Sequence, residues 1–116
     1  MEIIINMSYC VCILECSDGS YYTGSSADVE KRLWQHQEGV VSTAYTFSRR
    51  PVKLVRCSEE VGRYSEARRY ERQIKGWSRI KKAALIRGDY DGIHEIVKDE
   101  RKRREQNKER TPRWAE

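Results

Sequence analysis

No apolar run in this chain of 116 residues approaches the ~18 that a membrane-crossing helix needs, so a helical membrane protein is excluded. The opening Met1-Glu2-Ile3-Ile4-Ile5-Asn6 lacks the basic start of a secretory signal and carries an acid instead. The expected location is therefore cytoplasmic, or nuclear in a eukaryote. Internal repeats and low-complexity tracts are also missing. Zinc-ligand spacing is lacking too: the four cysteines, Cys10, Cys12, Cys16 and Cys57, do not form the pairs of a zinc site, and neither histidine is in ligand relation to them. Reduced thiols packed in a core are the plainer expectation, and a disulfide framework is not expected. The length suits one compact core. What the chain has in quantity is charge: 35% of its residues, with 23 basic against 18 acidic and a net +5, while 38% are apolar. That balance favours an anionic partner such as nucleic acid.

Tyr9 to Cys16 is apolar on both alternating faces, the pattern of a strand buried on two sides in the middle of a sheet. Ser17-Asp18-Gly19-Ser20 is a turn cluster before the aromatic Tyr21-Tyr22-Thr23-Gly24-Ser25, so the two segments form a hairpin. A three-residue turn, Ser17-Asp18-Gly19 with Gly19 left-handed, sets Leu14 opposite Tyr22 and Cys12 opposite Gly24. A two-residue turn would set Glu15 opposite Tyr22 and point Cys12 away. The first of these is expected. Asp28 caps a helix running to about Gln37, and Gly39 stops it. Val40 to Pro51 has no period and reads as a surface loop, after which Val52 to Cys57 alternates as a third strand. Ser65 is expected to cap a second helix to about Lys75, and Ser78 a third ending at Gly88. Residues 1–88 then form the domain, and 89–116 a charged helical extension or tail in which Ile93, Ile96 and Val97 offer one or two docking turns.

Three features depart from a plain core. On the first helix Arg32 and His36 lie one turn apart beside the stripe of Val29 and Leu33; a solvated Arg and a partly buried His next to Trp34 would explain them as well. On the second helix Ala67, Tyr70 and Ile74 define an apolar stripe with Glu71 in its middle. A carboxylate there must be paired, hydrogen-bonded or bound to metal, because an ionised group left alone in a core costs several kcal/mol. The plainer account is an ion pair with a nearby Arg. Third, Tyr22 and Gly24 share one strand face, which opens space beside the Tyr22 phenol; a bulge or a closely packed helix accounts for a strand glycine equally well.

Taken in order, YCVCILECSDGSYYTGSSADVEKRLWQHQEG, SRRPVKLV and SEARRYERQIKGWSR resemble the GIY-YIG nuclease superfamily, in particular its small single-domain members, similar in fold to the catalytic module of the bacterial excision-repair incision nuclease. The likeness runs from about Tyr9 to Gly88. It implies an α+β fold, a three-stranded antiparallel sheet flanked by helices, and a divalent-metal-dependent endonuclease that hydrolyses DNA phosphodiesters in a role such as repair. Carried over by position, Tyr22 is the tyrosine that activates water, Arg32 holds the scissile phosphate, His36 is the histidine one turn later, and Glu71 binds Mg2+ or Mn2+. Glu71 as sole carboxylate suits Mg2+, which keeps several waters and completes its shell with substrate phosphate. The first-strand tyrosine of the family stands here as Cys12. A thiol is a shorter and weaker donor than a phenol, which weakens catalysis from this position. Tyr9, three residues away, points to the opposite strand face unless a bulge intervenes. A catalytically weakened nucleic-acid-binding module of the same fold is therefore the alternative. Lys31, Arg49, Arg50 and Lys53, near Tyr45 and Phe47, form the expected surface for DNA, branched or single-stranded. So small a domain has few base-reading elements, which points to structure-selective action or to a protein partner that supplies specificity.

Overall fold

A computed structural model describes residues 8–110 of the chain; the Met1–Asn6 opening and the last six residues of the expected 89–116 tail lie outside the described residues. The chain begins its sheet with a hairpin, β1 (Cys10–Glu15) and β2 (Tyr21–Ser26), paired antiparallel. Cys16 and Ser20 close the turn by a 2.8 Å backbone hydrogen bond, leaving Ser17, Asp18 and Gly19 in it with Gly19 at φ +82°. Only glycine takes that backbone conformation without steric cost. The register is the one the three-residue turn requires: Leu14 faces Tyr22 and Cys12 faces Gly24.

Helix α1 (Val29–Glu38) starts where the Asp28 side chain accepts from the Lys31 amide at 3.1 Å, and ends at Gly39 with φ +65°. The following loop contains a short 3-10 turn, Phe47–Arg49, and leads to β3 (Lys53–Cys57). Strand order is β2-β1-β3, all antiparallel, so β1 is central as its two apolar faces require. One extra residue enters β3 opposite the step from Ile13 to Leu14, so that Leu14 faces Leu54 while Cys12 faces Cys57.

Helix α2 (Tyr64–Lys75) packs on β1 and β2. Its N-cap is Arg63, not Ser65, and no side chain caps it. The helix gains its place from packing instead, since Ala67, Glu71 and Ile74 are buried while Tyr70 is 54% exposed. The expected stripe is thus rotated off Tyr70 and centred nearer Glu71. Val11, Ile13, Leu14, Cys16 and Val52 are the buried apolar residues of the sheet and its approach, and Leu14, Cys16 and Val52 cluster with Tyr22, Leu33 and Leu54.

By internal packing the chain divides into two compact units, Met1–Arg79 and Ile80–Glu116. Helix α3 (Arg79–Ile86) opens at that division and is followed by Gly88 at φ +70°. Helix α4 (Tyr90–Arg110) then runs 21 residues, carrying much of the charged stretch as a continuous helix. Within the second unit the buried Lys81 of α3 lies 3.9 Å from Glu100 of α4. Among the described residues no helix is long and apolar enough to cross a membrane.

Candidate functional site

The even-numbered face of the β1–β2 hairpin forms the floor of a cavity of about 360 Å3, with α1 and α2 contributing its walls. Cys12, Leu14, Tyr22 and Gly24 come from the hairpin, Arg32, Leu33 and His36 from α1, and Arg68, Glu71 and Lys75 from α2. Tyr22, Arg32, His36 and Glu71 are thereby brought to one place, together with Cys12.

Gly24 is needed where it stands. A Cβ there would meet Tyr22 Cε1 at 3.2 Å and its hydroxyl oxygen at 3.7 Å, so its absence leaves the phenol room beside the strand. The Tyr22 ring lies 5.1 Å from the His36 ring at 58° and 6.2 Å from the Tyr45 ring, nearly parallel at 16°. Lys75 Nζ lies 5.5 Å from the Tyr22 ring centroid. Spacing on α1 puts His36 one turn beyond Arg32. His36 Nδ1 is 2.6 Å from the hydroxyl of the buried Thr46, which fixes the imidazole against the loop. Burial, and then the Arg32 charge, lower its pKa below the ordinary 6.5, so the ring is neutral at pH 7. Arg32 itself has no carboxylate partner among the described residues.

Glu71 is 4% exposed and fully engaged. Arg68 Nη1 is 2.6 Å from Oε2 and Lys75 Nζ 3.4 Å from Oε1, while the Ser25 hydroxyl donates to Oε2 at 3.5 Å. Arg68 and Lys75 stand three residues before and four after Glu71 on the same helix, the spacing at which helical side chains meet. That signal is present in the sequence and identifies both residues, which the pattern of apolar positions alone passes over.

A divalent cation does not suit this donor set as it is arranged. Among the described residues the cavity has one carboxylate, which is neutralised by two cations in contact with it, and Arg32 adds a third positive charge to the lining. Among the described residues no group of three or more His, Cys, Asp or Glu side chains is placed to hold a metal ion. The electrostatics favour an anion in the cavity, with Arg32 as its unpaired donor.

Cys12, where the resemblance places a tyrosine, directs its sulfur to Cys57 on β3, 2.8 Å away. Burial first, then Cys57, push the Cys12 thiol well above the ordinary thiol range, so it stays protonated. Tyr9 does reach the cavity, contrary to the alternation argument. It stands outside the regular strand, bridged to Val61 by backbone hydrogen bonds of 2.8 and 2.7 Å, with its ring 5.3 Å from that of Tyr64. A side chain past the end of a strand is released from strict alternation, which is why counting from Cys12 misplaces it.

The surface residues expected to meet DNA stand outside the cavity. Arg49 donates to Asp18 at 3.0 Å and to the Tyr45 carbonyl at 2.7 Å, and lies over the Tyr45 ring at 3.8 Å. Arg50 donates to the Phe47 carbonyl at 2.9 Å and lies 4.7 Å over the Phe47 ring. Both guanidinium groups thus brace the loop. Lys31 and Lys53 are exposed, and none of these four side chains lines the cavity.

A match to a protein-family model agrees with this architecture. The GIY-YIG catalytic domain matches residues 8–83. A UPF0213 protein of Syntrophus aciditrophicus is 49% identical over 77 residues, covering 66% of this chain and 87% of that one. The UPF0213 protein VNG_2274C of Halobacterium salinarum is 47% identical over 76 residues, covering 66% and 96% respectively. The solution NMR structure of the UPF0213 protein BH0048 from Bacillus halodurans shares 39% identity, covers 74% of this chain and 93% of that one, and superposes with a TM-score of 0.46. Because the domain match spans more than half of the chain, with the hairpin and both cavity helices inside it, the chain belongs to the GIY-YIG catalytic-domain family.

Proposed function

We propose that the chain is a nucleic-acid-binding module of the GIY-YIG fold, with cutting weakened relative to the family's nucleases. Residues 1–88 form the binding domain and 89–116 its charged extension. A backbone phosphate enters the cavity and is held by Arg32, with Arg68 and Lys75 behind it. The observation that carries this reading is the charge arrangement: three cations line a cavity in which Glu71 is already paired twice, and Arg32 has no carboxylate partner among the described residues. A neutral imidazole at His36 supports it by giving a phosphate oxygen a hydrogen-bond partner without repelling Arg32. Lys31, Arg49, Arg50 and Lys53 extend the contact along the surface, and a protein partner supplies target choice. The test is the salt dependence of affinity for labelled single-stranded and branched DNA. Arg32→Ala should weaken binding to both and flatten the slope by about one phosphate equivalent. Binding that is insensitive to salt, or unchanged by the substitution, would overturn the assignment.

A second reading, an endonuclease that uses Mg2+ or Mn2+, is favoured by one observation: Tyr22, Arg32, His36 and Glu71 line the same cavity. It requires Glu71 to release its two cationic partners. A plasmid-nicking assay with either metal, with Glu71→Ala alongside, decides between the two. Metal-dependent nicking lost in the variant establishes the enzyme, and binding without nicking leaves the module.

A further inference from the structure

Apart from the residues proposed to hold phosphate, the described residues include a group of reactive side chains that the proposed cavity chemistry does not use. Cys12 of β1 and Cys57 of β3 are direct cross-strand partners, and their sulfurs are 2.8 Å apart. Directly opposed residues of an antiparallel pair have Cα atoms about 4.5–5.5 Å apart, inside the span a disulfide accepts without moving the backbone. The two thiols differ in access. Cys57, the last residue of its strand, is exposed, whereas Cys12 is half-buried against it. Cys10, two residues before Cys12, is a third thiol near Cys57, and Cys16 is buried in the apolar cluster.

We propose that Cys12 and Cys57 are an oxidative modification site: a dithiol that a hydroperoxide converts to a disulfide joining the central strand to the edge strand. Exposed Cys57 reacts first. Its thiolate attacks the terminal peroxide oxygen, forming an S–O bond as the O–O bond breaks; the departing alkoxide takes up a proton, leaving Cys57 as a sulfenic acid. Cys12 then attacks the Cys57 sulfur, the S–S bond forms, the S–O bond breaks, and hydroxide leaves with the Cys12 proton as water. Two thiols and one hydroperoxide give one disulfide, one alcohol and one water. Burial holds Cys12 protonated until the sulfenic acid stands beside it, which assigns it the second step rather than the first.

The experiment treats the full chain, reduced and then freed of reductant, with one equivalent of hydrogen peroxide. Expected are loss of two of the four thiols, loss of two hydrogens from the intact mass, a monomer on a non-reducing gel, and recovery with dithiothreitol. Cys10, Cys12 and Cys16 all precede Lys31, the first tryptic site, so fragmentation between Cys10 and Cys12 must place the bridge. Cys10→Ser should still form it. Cys57→Ser should not, and Cys12→Ser should leave a sulfenic acid at Cys57 that dimedone traps. A bridge from Cys10, a disulfide between two chains, or no bridge in the folded parent overturns the proposal. None of these readouts involves nucleic acid, so the proposal stands or falls separately from the binding function.

Discussion

Thr23 sits in the middle of β2, 1% exposed, and its hydroxyl has no hydrogen-bond partner among the described residues. A buried hydroxyl left unpaired costs about 1–3 kcal/mol, so Thr23→Val, close in shape and as suited to a strand, should stabilise the chain by about 1 kcal/mol. A thermal melt several degrees higher is the expected result, and a lower one would mean that the hydroxyl has a partner. His36 sets a different dependence. Its pKa in the fold lies below the ordinary 6.5, chiefly through burial and next through Arg32, so between those two values the unfolded chain binds the proton and the folded chain resists it. Stability contributed by the neutral ring is present above about pH 6.5 and is lost as pH falls below it. Melts from pH 7.5 to 5.5, on the order of one unit either side of that value, should show the loss, and His36→Gln should flatten it. The sequence shows both only as types: a residue within an aromatic-rich strand and a histidine beside an apolar stripe. Their lack of a partner or of water depends on what packs over them.

At the scale of elements, local chemistry and local structure agree most closely where a few neighbouring residues settle the matter. Asp28 and Gly39 bound α1 as their types suggest, since each acts on backbone groups within a turn of itself. Asp28→Ala should cost about 1 kcal/mol by removing the acceptor for the Lys31 amide. Gly39→Ala should cost about 1–2 kcal/mol, because φ is +65° and the added Cβ would stand 2.6 Å from Arg50 Nη1, which must move. Denaturant midpoints with unchanged m-values would check both. The α2 start shows the limit of such signals. Ser65 has the right chemistry for a cap, yet the helix already runs through it from Tyr64, held by the burial of Ala67, Glu71 and Ile74. The loop from Val40 to Pro51 was legible as a loop, but its bracing was not: Arg49 reaches back to Asp18 in the hairpin turn, thirty-one positions earlier.

At the scale of the whole molecule the central question is what the cavity charge does, and Glu71 is the position that answers it. Glu71→Gln keeps the size of the side chain and a carbonyl oxygen for Arg68 and Ser25, while freeing two positive charges from an anionic partner. In a phosphate-binding module this should tighten DNA binding and steepen its salt slope by roughly one to two phosphate equivalents. In a metal-dependent nuclease it should abolish nicking, with Cys12→Tyr acting in the opposite direction once a melt confirms folding. The Arg49→Ala, Arg50→Ala double change separates cavity from surface. A slope flatter by roughly one to two equivalents assigns the loop a share of the phosphate contact, and an unchanged slope at intact stability confines binding to the cavity.

The amino-acid sequence alone determined the hairpin register, the central place of β1, the bounds of α1 and the unusual position of Glu71. Each of these follows from residues within a strand, a turn or a helical period of one another, where sterics and capping act directly. Tertiary structure decided who meets whom across longer separations: Tyr9 in the cavity, Thr46 on His36, and Cys57 opposite Cys12. The last case shows the reason. Continued from Leu14 and Leu54 without the shift in β3, the ladder would set Arg56 opposite Cys12 and no thiol pair would form. A single added residue in one strand changes every later partner, and only the packed sheet determines where that residue goes.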